Sequence, residues 1–496
     1  MKTSSLKTAI FSSIGCSIIF CSACTVGPKY QRPAVAQTPV AFKEMLASDQ
    51  WKTATPSDEL IKGNWWELFG DAELNKLEEQ VNFNNQSVKQ AEAQFRQARA
   101  LVNLQRSGYY PNIGAGPSVT QTDRVTGYGS SFSLPISASW EPDLWGRVRL
   151  AVENATDNAQ VSAADLENTR LSSQGLLATD YFQLAASYMQ QDILTQTIAD
   201  YTKNLELTTN RYNGGVASKT DVSLAQTQLA GARAQMTELN VARSQFQHAI
   251  AVLIGQAPAA LEILPGKING PPPPVPMALP SQLLERRPDI AASERLVAAA
   301  NANVGVAETA YYPTLTLTAS AGFISTNLQN LFKYASRTWS AGPGLSQTLF
   351  DFGRRGATLE GAQASYDGTV ASYRQTVLAA FQEVEDDLST LRYLAEEAAQ
   401  QQEAVTAANQ SLALENDRYK AGTDSYLNVI TTEEIALSDQ QQAITILQRR
   451  MVAAVDLVKA IGGGWDASVL PSKDAIRSVA MADKATTVNV AQPLAK

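Results

Sequence analysis

Two hydrophobic patterns alternate along this chain. The first has period two. Phe132, Leu134, Ile136, Ala138 and Trp140 alternate with Ser133, Pro135, Ser137 and Ser139, and Leu315, Leu317, Ala319 and Ala321 alternate with Thr314, Thr316, Thr318 and Ser320. A third run sets Trp339, Ala341, Pro343 and Leu345 against Ser340, Gly342, Gly344 and Ser346, and a weaker fourth extends from Asn112 to about Thr122. Successive strand residues face opposite ways, so each run predicts a strand of about ten residues with one apolar and one small-polar face. Such strands suit a boundary between lipid and a wet lumen. Separate two-stranded sheets packed on helices satisfy the same pattern. Pro135 and Pro343 oppose regular ladders, yet their nearly corresponding places in two halves of the chain point to one tolerated edge or bulge site used twice.

The second pattern is long and helical. No proline occurs between Pro142 and Pro258 or between Pro343 and Pro471, and both intervals are rich in Ala, Gln, Leu, Glu and Ser, which permits uninterrupted helices. A helix from about Leu144 to Asn213 would extend on the order of 100 Å at about 1.5 Å per residue, longer than a globular core requires. Gly214-Gly215 and Gly422 supply turns that end such helices, and new helices starting near Ser218 and Ser425 complete two hairpins. Ser218-x-x-Asp221 has the spacing of a capping box, and Ser425 can cap its helix alone.

These elements occur twice. Arg211-Tyr212-Asn-Gly-Gly215-Val-Ala-Ser218-Lys-Thr-Asp221-Val222 aligns with Arg418-Tyr419-Lys-Ala-Gly422-Thr-Asp-Ser425-Tyr-Leu-Asn428-Val429 at an offset of 207 positions, as Gly146-Arg147 does with Gly353-Arg354. Tyr109-Tyr110-Pro111 recurs as Tyr311-Tyr312-Pro313. An internal repeat overrides the count of two or three domains that 496 residues would otherwise suggest. The resulting division is 1–23 signal peptide, 24–60 extended strap, 61–256 first repeat, 257–280 proline-rich linker, 281–465 second repeat and 466–496 mobile tail. Within the repeats, β-hairpins fall at about 112–141 and 313–350, and helical hairpins at about 144–255 and 354–460. Four strands cannot close a transmembrane barrel, since about eight is the minimum and an eight-stranded interior is filled by its own side chains. Twelve strands from three chains leave an aqueous bore, so a channel predicts a trimer.

The first residues add an address. Lys2 and Lys7 precede an interrupted apolar stretch from Ala9 to Phe20, then Ser22 and Ala23 before Cys24. This reads as a secretory signal, too short and too polar to span a bilayer. Cys16, Cys21 and Cys24 are the only cysteines, so cleavage before Cys24 leaves one thiol and no internal disulfide. Small-small-Cys resembles the lipobox of bacterial lipoproteins, with Cys24 as acceptor of covalent lipid and Thr25 favouring the outer membrane. Cys21 departs from that pattern, where an aliphatic residue is usual, and an ordinary signal with a stray thiol is the plainer alternative. Without residues 1–23 the chain carries 38 basic against 48 acidic side chains, which argues against a nucleic-acid partner.

No enzymatic constellation is visible. His248 is the single histidine, in a helical stretch where packing or exposure explains it better than catalysis. CxxC, HExxH, a phosphate-binding glycine loop and a nucleophile elbow are all missing, and no metal or cofactor is implied. Asp289 and Glu294 beside Arg286, Arg287 and Arg295 fit a helix start at Pro288 with ion pairs rather than a catalytic dyad.

Four further motifs, in order, carry a family resemblance over about residues 24–465. They are Trp65-Trp66-Glu-Leu-Phe69-Gly-Asp71-Ala-Glu-Leu74, Trp140-Glu-Pro-Asp143-Leu-Trp-Gly146-Arg147, Leu279-Pro-Ser-Gln-Leu-Leu-Glu285-Arg-Arg287-Pro288-Asp289-Ile290 and Ile461-Gly-Gly-Gly464-Trp465. With Cys24-Thr-Val-Gly-Pro-Lys-Tyr-Gln-Arg-Pro33, they resemble the lipoprotein branch of the TolC-like outer-membrane factors of tripartite RND-type efflux pumps. The resemblance implies an α+β membrane protein. Its trimeric twelve-strand outer-membrane β-barrel, four strands per chain, continues as a long periplasmic α-helical coiled-coil tunnel. It implies a passive exit duct for drugs or other toxic solutes, anchored in outer-membrane lipid and fed by an inner-membrane RND-type transporter through a periplasmic adaptor. An exit duct for type I protein secretion shares this fold, and a purely structural periplasmic coiled-coil lipoprotein is a more distant alternative.

By the same resemblance, Gly214, Gly215 and Gly422 are adaptor-docking turns, and Asp221, Thr220, Tyr419, Asp424, Leu427, Asn428, Ile430 and Thr431 form the periplasmic gate. Tyr419 would contact Asp221, with Thr220 beside it. This chain departs from the TolC pattern: Asp424 stands where an arginine is usual, and Asn428 and Thr431 occupy two acidic positions. Leu427 or Ile430 is then expected to narrow the mouth, with Glu433 and Glu434 a turn deeper.

Overall fold

A computed structural model describes residues 26–34, 38–39, 42–44, 64–124, 127–268, 270–275 and 285–478. The expected signal peptide, Cys24 and the end of the tail lie outside these residues. The first half runs through α1 (Ala72–Asn84), α2 (Gln86–Arg106), β1 (Asn112–Ala115), β2 (Ser118–Arg124), β3 (Gly127–Trp140), α3 (Arg147–Asn213) and α4 (Lys219–Leu253). The second runs through α5 (Pro288–Thr309), β4 (Thr314–Ser325), β5 (Arg337–Ser346), α6 (Arg354–Lys420) and α7 (Tyr426–Ala460).

The internal repeat is metrical. Helices α3 and α6 both have 67 residues, and α4 and α7 both have 35. At about 1.5 Å per residue the longer pair reaches roughly 100 Å. Each long helix begins after a glycine in the left-handed region, Gly146 at φ 87° and Gly353 at φ 90°, where a Cβ would be strained. An aspartate just upstream accepts the first free amides: Asp143 from Val148 and Arg149 at 2.9 and 3.0 Å, Asp351 from Arg355 at 3.2 Å. Pro288 opens α5, and Arg287 reaches Asp289, Glu383 and the Ala460 carbonyl at 2.7–3.0 Å. The charged cluster there is structural, as its sequence suggests.

All strands join one antiparallel sheet, with β3 pairing β1, β2 and β4, and β4 pairing β5. The two hairpins are therefore one sheet rather than separate sheets on helices. The weak fourth run is a strand broken at Gly116-Pro117: β1 and β2 pair successive parts of β3. This break accommodates Pro135. The Pro135 carbonyl accepts from the Gly116 amide at 3.3 Å, and a strand residue presents its N and its C=O on the same side. The missing N–H thus faces the interruption.

Registry builds one apolar face across the halves. Ile113 opposes Ala138, Val119 opposes Phe132, Ile136 opposes Ala321, Trp140 opposes Leu317, Ala321 opposes Trp339 and Leu315 opposes Leu345. Directly opposite residues share a face, and the other face carries Ser133, Ser137, Thr318, Ser320, Ser340 and Gly342. Ile113, Val119, Trp339 and Leu345 of the apolar face are two-thirds or more exposed in the single chain.

The main core is a belt around the middle of the long helices. Trp65, Trp66, Leu74, Leu77 and Val81 pack with Leu177, Tyr181 and Leu184 of α3, Val384 and Leu388 of α6, and Val455, Leu457 and Val458 of α7. Tyr181 donates to Asp71 at 2.7 Å and accepts from the Gly266 amide at 3.1 Å, tying the opening motif to the linker. The expected mobile tail is corrected over residues 466–478. Ile476 is buried with Val102, Ala155 and Ala159, and Lys473 reaches Glu153 at 3.0 Å and buried Asp157 at 2.8 Å. A buried carboxylate requires its cation, and that cation is in the tail.

Candidate functional site at the hairpin tips

The α3–α4 and α6–α7 turns have the same backbone logic. Gly215 and Gly422 take φ 75° and 77°, and the amides of Val216 and Thr423 return to the carbonyls of Arg211 and Arg418 at 2.8 and 3.0 Å. Such left-handed closures satisfy the last carbonyls of a helix. Gly214 ends α3 beside them, its amide on the Asn210 carbonyl at 3.0 Å.

Their caps differ. Ser218 and Asp221 form the capping box reciprocally, at 3.1 and 2.8 Å. Ser425 makes no side-chain cap, contrary to expectation. Asp424 instead steadies the cap residue and the first turn: it accepts from the Ser425 amide at 2.7 Å and Asn428 Nδ2 at 2.6 Å, and pairs with Arg418 at 3.1 Å. These donors, with the amide first, hold its carboxyl below the ordinary aspartate range.

Between the tips the expected Tyr419–Asp221 bond is absent. Asp221 is committed to its capping box, and the Tyr419 hydroxyl lies 3.3 Å from Thr208 Oγ1. The Tyr419 ring is buried with Tyr426, Val429, Ile430 and Ala225. Arg211 crosses from the first hairpin: its Nη1 donates to the Tyr419 carbonyl at 2.9 Å, and its Cζ lies 4.5 Å from the Tyr419 ring centroid. A cation therefore does join the tips, although not at position 424. Arg418, the repeat equivalent of Arg211, stays within its own tip, and Tyr212 is exposed with Lys219 Nζ 5.7 Å from its ring centroid. The Arg-Tyr dipeptide was visible twice in the sequence; which copy would cross was not.

The mouth positions also separate. Ile430 is buried in the seam cluster, so it is not free to narrow an opening. Leu427, Asn428 and Thr431 are exposed on α7, and Thr220 is exposed on α4. Glu434 accepts from Gln228 of α4 at 2.6 Å. Glu433 faces inward, accepting from Asn204 of α3 at 2.6 Å. Among the described residues no His, Cys, Asp or Glu cluster could hold a metal ion, and no helix is long and apolar enough to cross a membrane.

Comparison with known proteins places this geometry. The model of the outer membrane efflux protein family matches residues 77–256 and 279–463, one stretch in each repeat. Over 472 residues the chain is 30% identical to the probable efflux pump outer membrane protein TtgC of Pseudomonas putida, covering 93% of this chain and 95% of that protein. The solved outer-membrane channel OprN aligns with a TM-score of 0.78 at 29% identity, over 89% of this chain and all of that one. The open-state outer membrane channel MtrE of Neisseria gonorrhoeae also aligns at a TM-score of 0.78, with 26% identity over 90% and 99% of the two chains. With both repeats matched and the whole architecture shared, the chain belongs to the outer membrane efflux protein family.

Proposed function

We propose that three copies of this outer-membrane efflux channel close a twelve-strand barrel, and that their helical hairpins form a tunnel across the periplasm. The duct passively releases drugs or other toxic solutes delivered by an inner-membrane RND-type transporter through a periplasmic adaptor. The observation that carries this reading is the sheet: one apolar face shared by both halves, an opposite face that is small and polar apart from Ile324 at its end, and unpaired edges at β1/β2 and β5. Lipid offers such edges no hydrogen bonds, so they require pairing with further copies. A family of channels gives no reason to look for catalysis, and transport needs no cofactor here.

Acylation of Cys24 would add an anchor at the inner leaflet. One acyl chain binds a membrane only marginally, so several chains and the barrel share the anchoring. The turns at Gly214, Gly215 and Gly422 present the surface for the adaptor. The seam between the tips closes the periplasmic mouth. Purified protein in mild detergent should have about three times the mature mass. A stable monomer that keeps its β structure and inserts into bilayers would overturn this architecture.

A further inference from the structure

A cleft of about 850 Å³ opens between the two hairpins a few turns above the tips, lined by Asp192, Asp200, Tyr201 and Asn204 of α3, Lys420 of α6 and Glu433 of α7. Glu433 is 7% exposed, and its Oε1 accepts from Asn204 Nδ2 at 2.6 Å. Its Oε2 is buried and has no partner, and the buried Tyr201 hydroxyl has none either. A carboxylate with one oxygen bare in a seam is a liability when ionised, and protonation removes its buried charge. Charges around it do not relieve this. Asp200 is paired with Lys203 at 3.5 Å, Glu434 with Gln228, and Tyr426 beside it on α7 is neutral. Lys420 lines the cleft but makes no ion pair with Glu433.

We propose that Glu433 is a proton-operated element of the gate: protonated, it holds α3 against α7, and ionised, it drives the two hairpins apart. Burial first, then the charge of Asp200, raises the Glu433 carboxyl from 4.5 to about 7, against a smaller lowering by Asn204. In an open seam, water returns and the group titrates near its ordinary value. The closed state then binds the proton more tightly. Closure is fully supported below about pH 4.5 and is lost progressively as pH rises to about 7, where the effect levels off. Over that window the open-to-closed ratio rises by up to about tenfold per pH unit for each protomer.

This switch rests on reading the tips as the periplasmic mouth, and the test separates the two. Full-length protein in planar bilayers is titrated on both sides from about pH 4.5 to about pH 9, recording mean single-channel conductance for wild type, Glu433→Gln, Asn204→Ala and Arg211→Ala. Wild type should open as pH rises through the window. Glu433→Gln, which is permanently uncharged, should stay at the low-pH conductance throughout. Asn204→Ala removes the one donor to the ionised form, so its rise should extend to higher pH. If Glu433→Gln fails to assemble, the direction of the Asn204→Ala shift decides. A wild-type profile in Glu433→Gln, with Arg211→Ala raising conductance at every pH, overturns the switch alone. If no variant changes conductance, the tips are not the mouth and both readings fall.

Discussion

Arg211 and Tyr419 join the two helical hairpins twice over, through a 2.9 Å hydrogen bond to the Tyr419 carbonyl and a guanidinium 4.5 Å from the same residue's ring centroid. The carbonyl belongs to the last turn of α6, where the helix dipole is negative, so charge and geometry act together. Arg211 is half-buried, which places the pair at about 1–2 kcal/mol per protomer. Arg211→Ala should raise single-channel conductance several-fold, and Arg211→Lys should be intermediate because it keeps the charge and loses the planar fork. Unchanged conductance in Arg211→Ala would mean that the clasp does not hold the mouth.

Tyr419→Phe should be mild by comparison. Its hydroxyl meets only Thr208 Oγ1, at 3.3 Å, a neutral contact of about 0.5–1.5 kcal/mol. Ring and carbonyl remain for Arg211. Tyr419→Ala removes the ring from its buried cluster and should open the mouth strongly, as a large-to-small change of about 3–5 kcal/mol. Equal conductance in Tyr419→Phe and Tyr419→Ala would show that the hydroxyl is the latch after all.

Most of the architecture was legible before the structure because it is periodic. Period-two runs gave the strands, proline-free intervals gave the long helices, and the 207-residue offset gave the repeat. The tip contacts were not legible in the same way. Repeat symmetry makes Arg211 and Arg418 look equivalent, yet one crosses between hairpins and the other serves Asp424, whose repeat equivalent is Ala217, so only the second tip gives its arginine a carboxylate of its own. Ser425 is of a capping residue type, yet its hydroxyl caps nothing, and the Asn428 amide goes to the Ser425 carbonyl instead. The tail after Trp465 shows little periodicity, so its docking was invisible: it depends on Lys473 meeting Asp157, more than 300 positions away.

Asp424→Arg should loosen its tip. The substitution removes the acceptor for Ser425 and Asn428 and sets a second cation beside Arg418. Hydrogen exchange at the amides of residues 423–428 should quicken relative to wild type. Slower exchange with lower conductance would mean that arginine finds a new partner across the seam.

Lys473→Met should release the docked tail. Asp157 is 1% exposed, and stripping a buried carboxylate of its cation costs about 3–5 kcal/mol, with the low end expected because Lys473 is partly solvated. Limited proteolysis should then cut within residues 466–478. Adding Asp157→Asn should restore protection, since the stranded charge is gone. Protection that stays at the wild-type level in Lys473→Met alone would show that Ile476 and its apolar neighbours hold the tail without the ion pair.

Glu78 gives the belt core a pH dependence of its own. Its side chain is fully buried on α1, and neither carboxylate oxygen has a partner. Burial pushes its carboxyl well above the ordinary value, so the folded chain retains a proton that the unfolded chain releases. The sign follows from that difference. Stability from this group is fully present below the ordinary value of 4.5, and is lost as pH rises toward the folded one, at up to about 1.4 kcal/mol per pH unit for each protomer. Glu78→Gln cannot ionise, so its melting temperature in detergent should fall less steeply than that of wild type on going from acid to alkaline conditions. Glu78→Leu, which also removes the unsatisfied oxygens, should be the most stable of the three at high pH. Parallel slopes for wild type and Glu78→Gln would mean that the carboxyl reaches water or a donor in the assembled protein, and that its burial is relieved there.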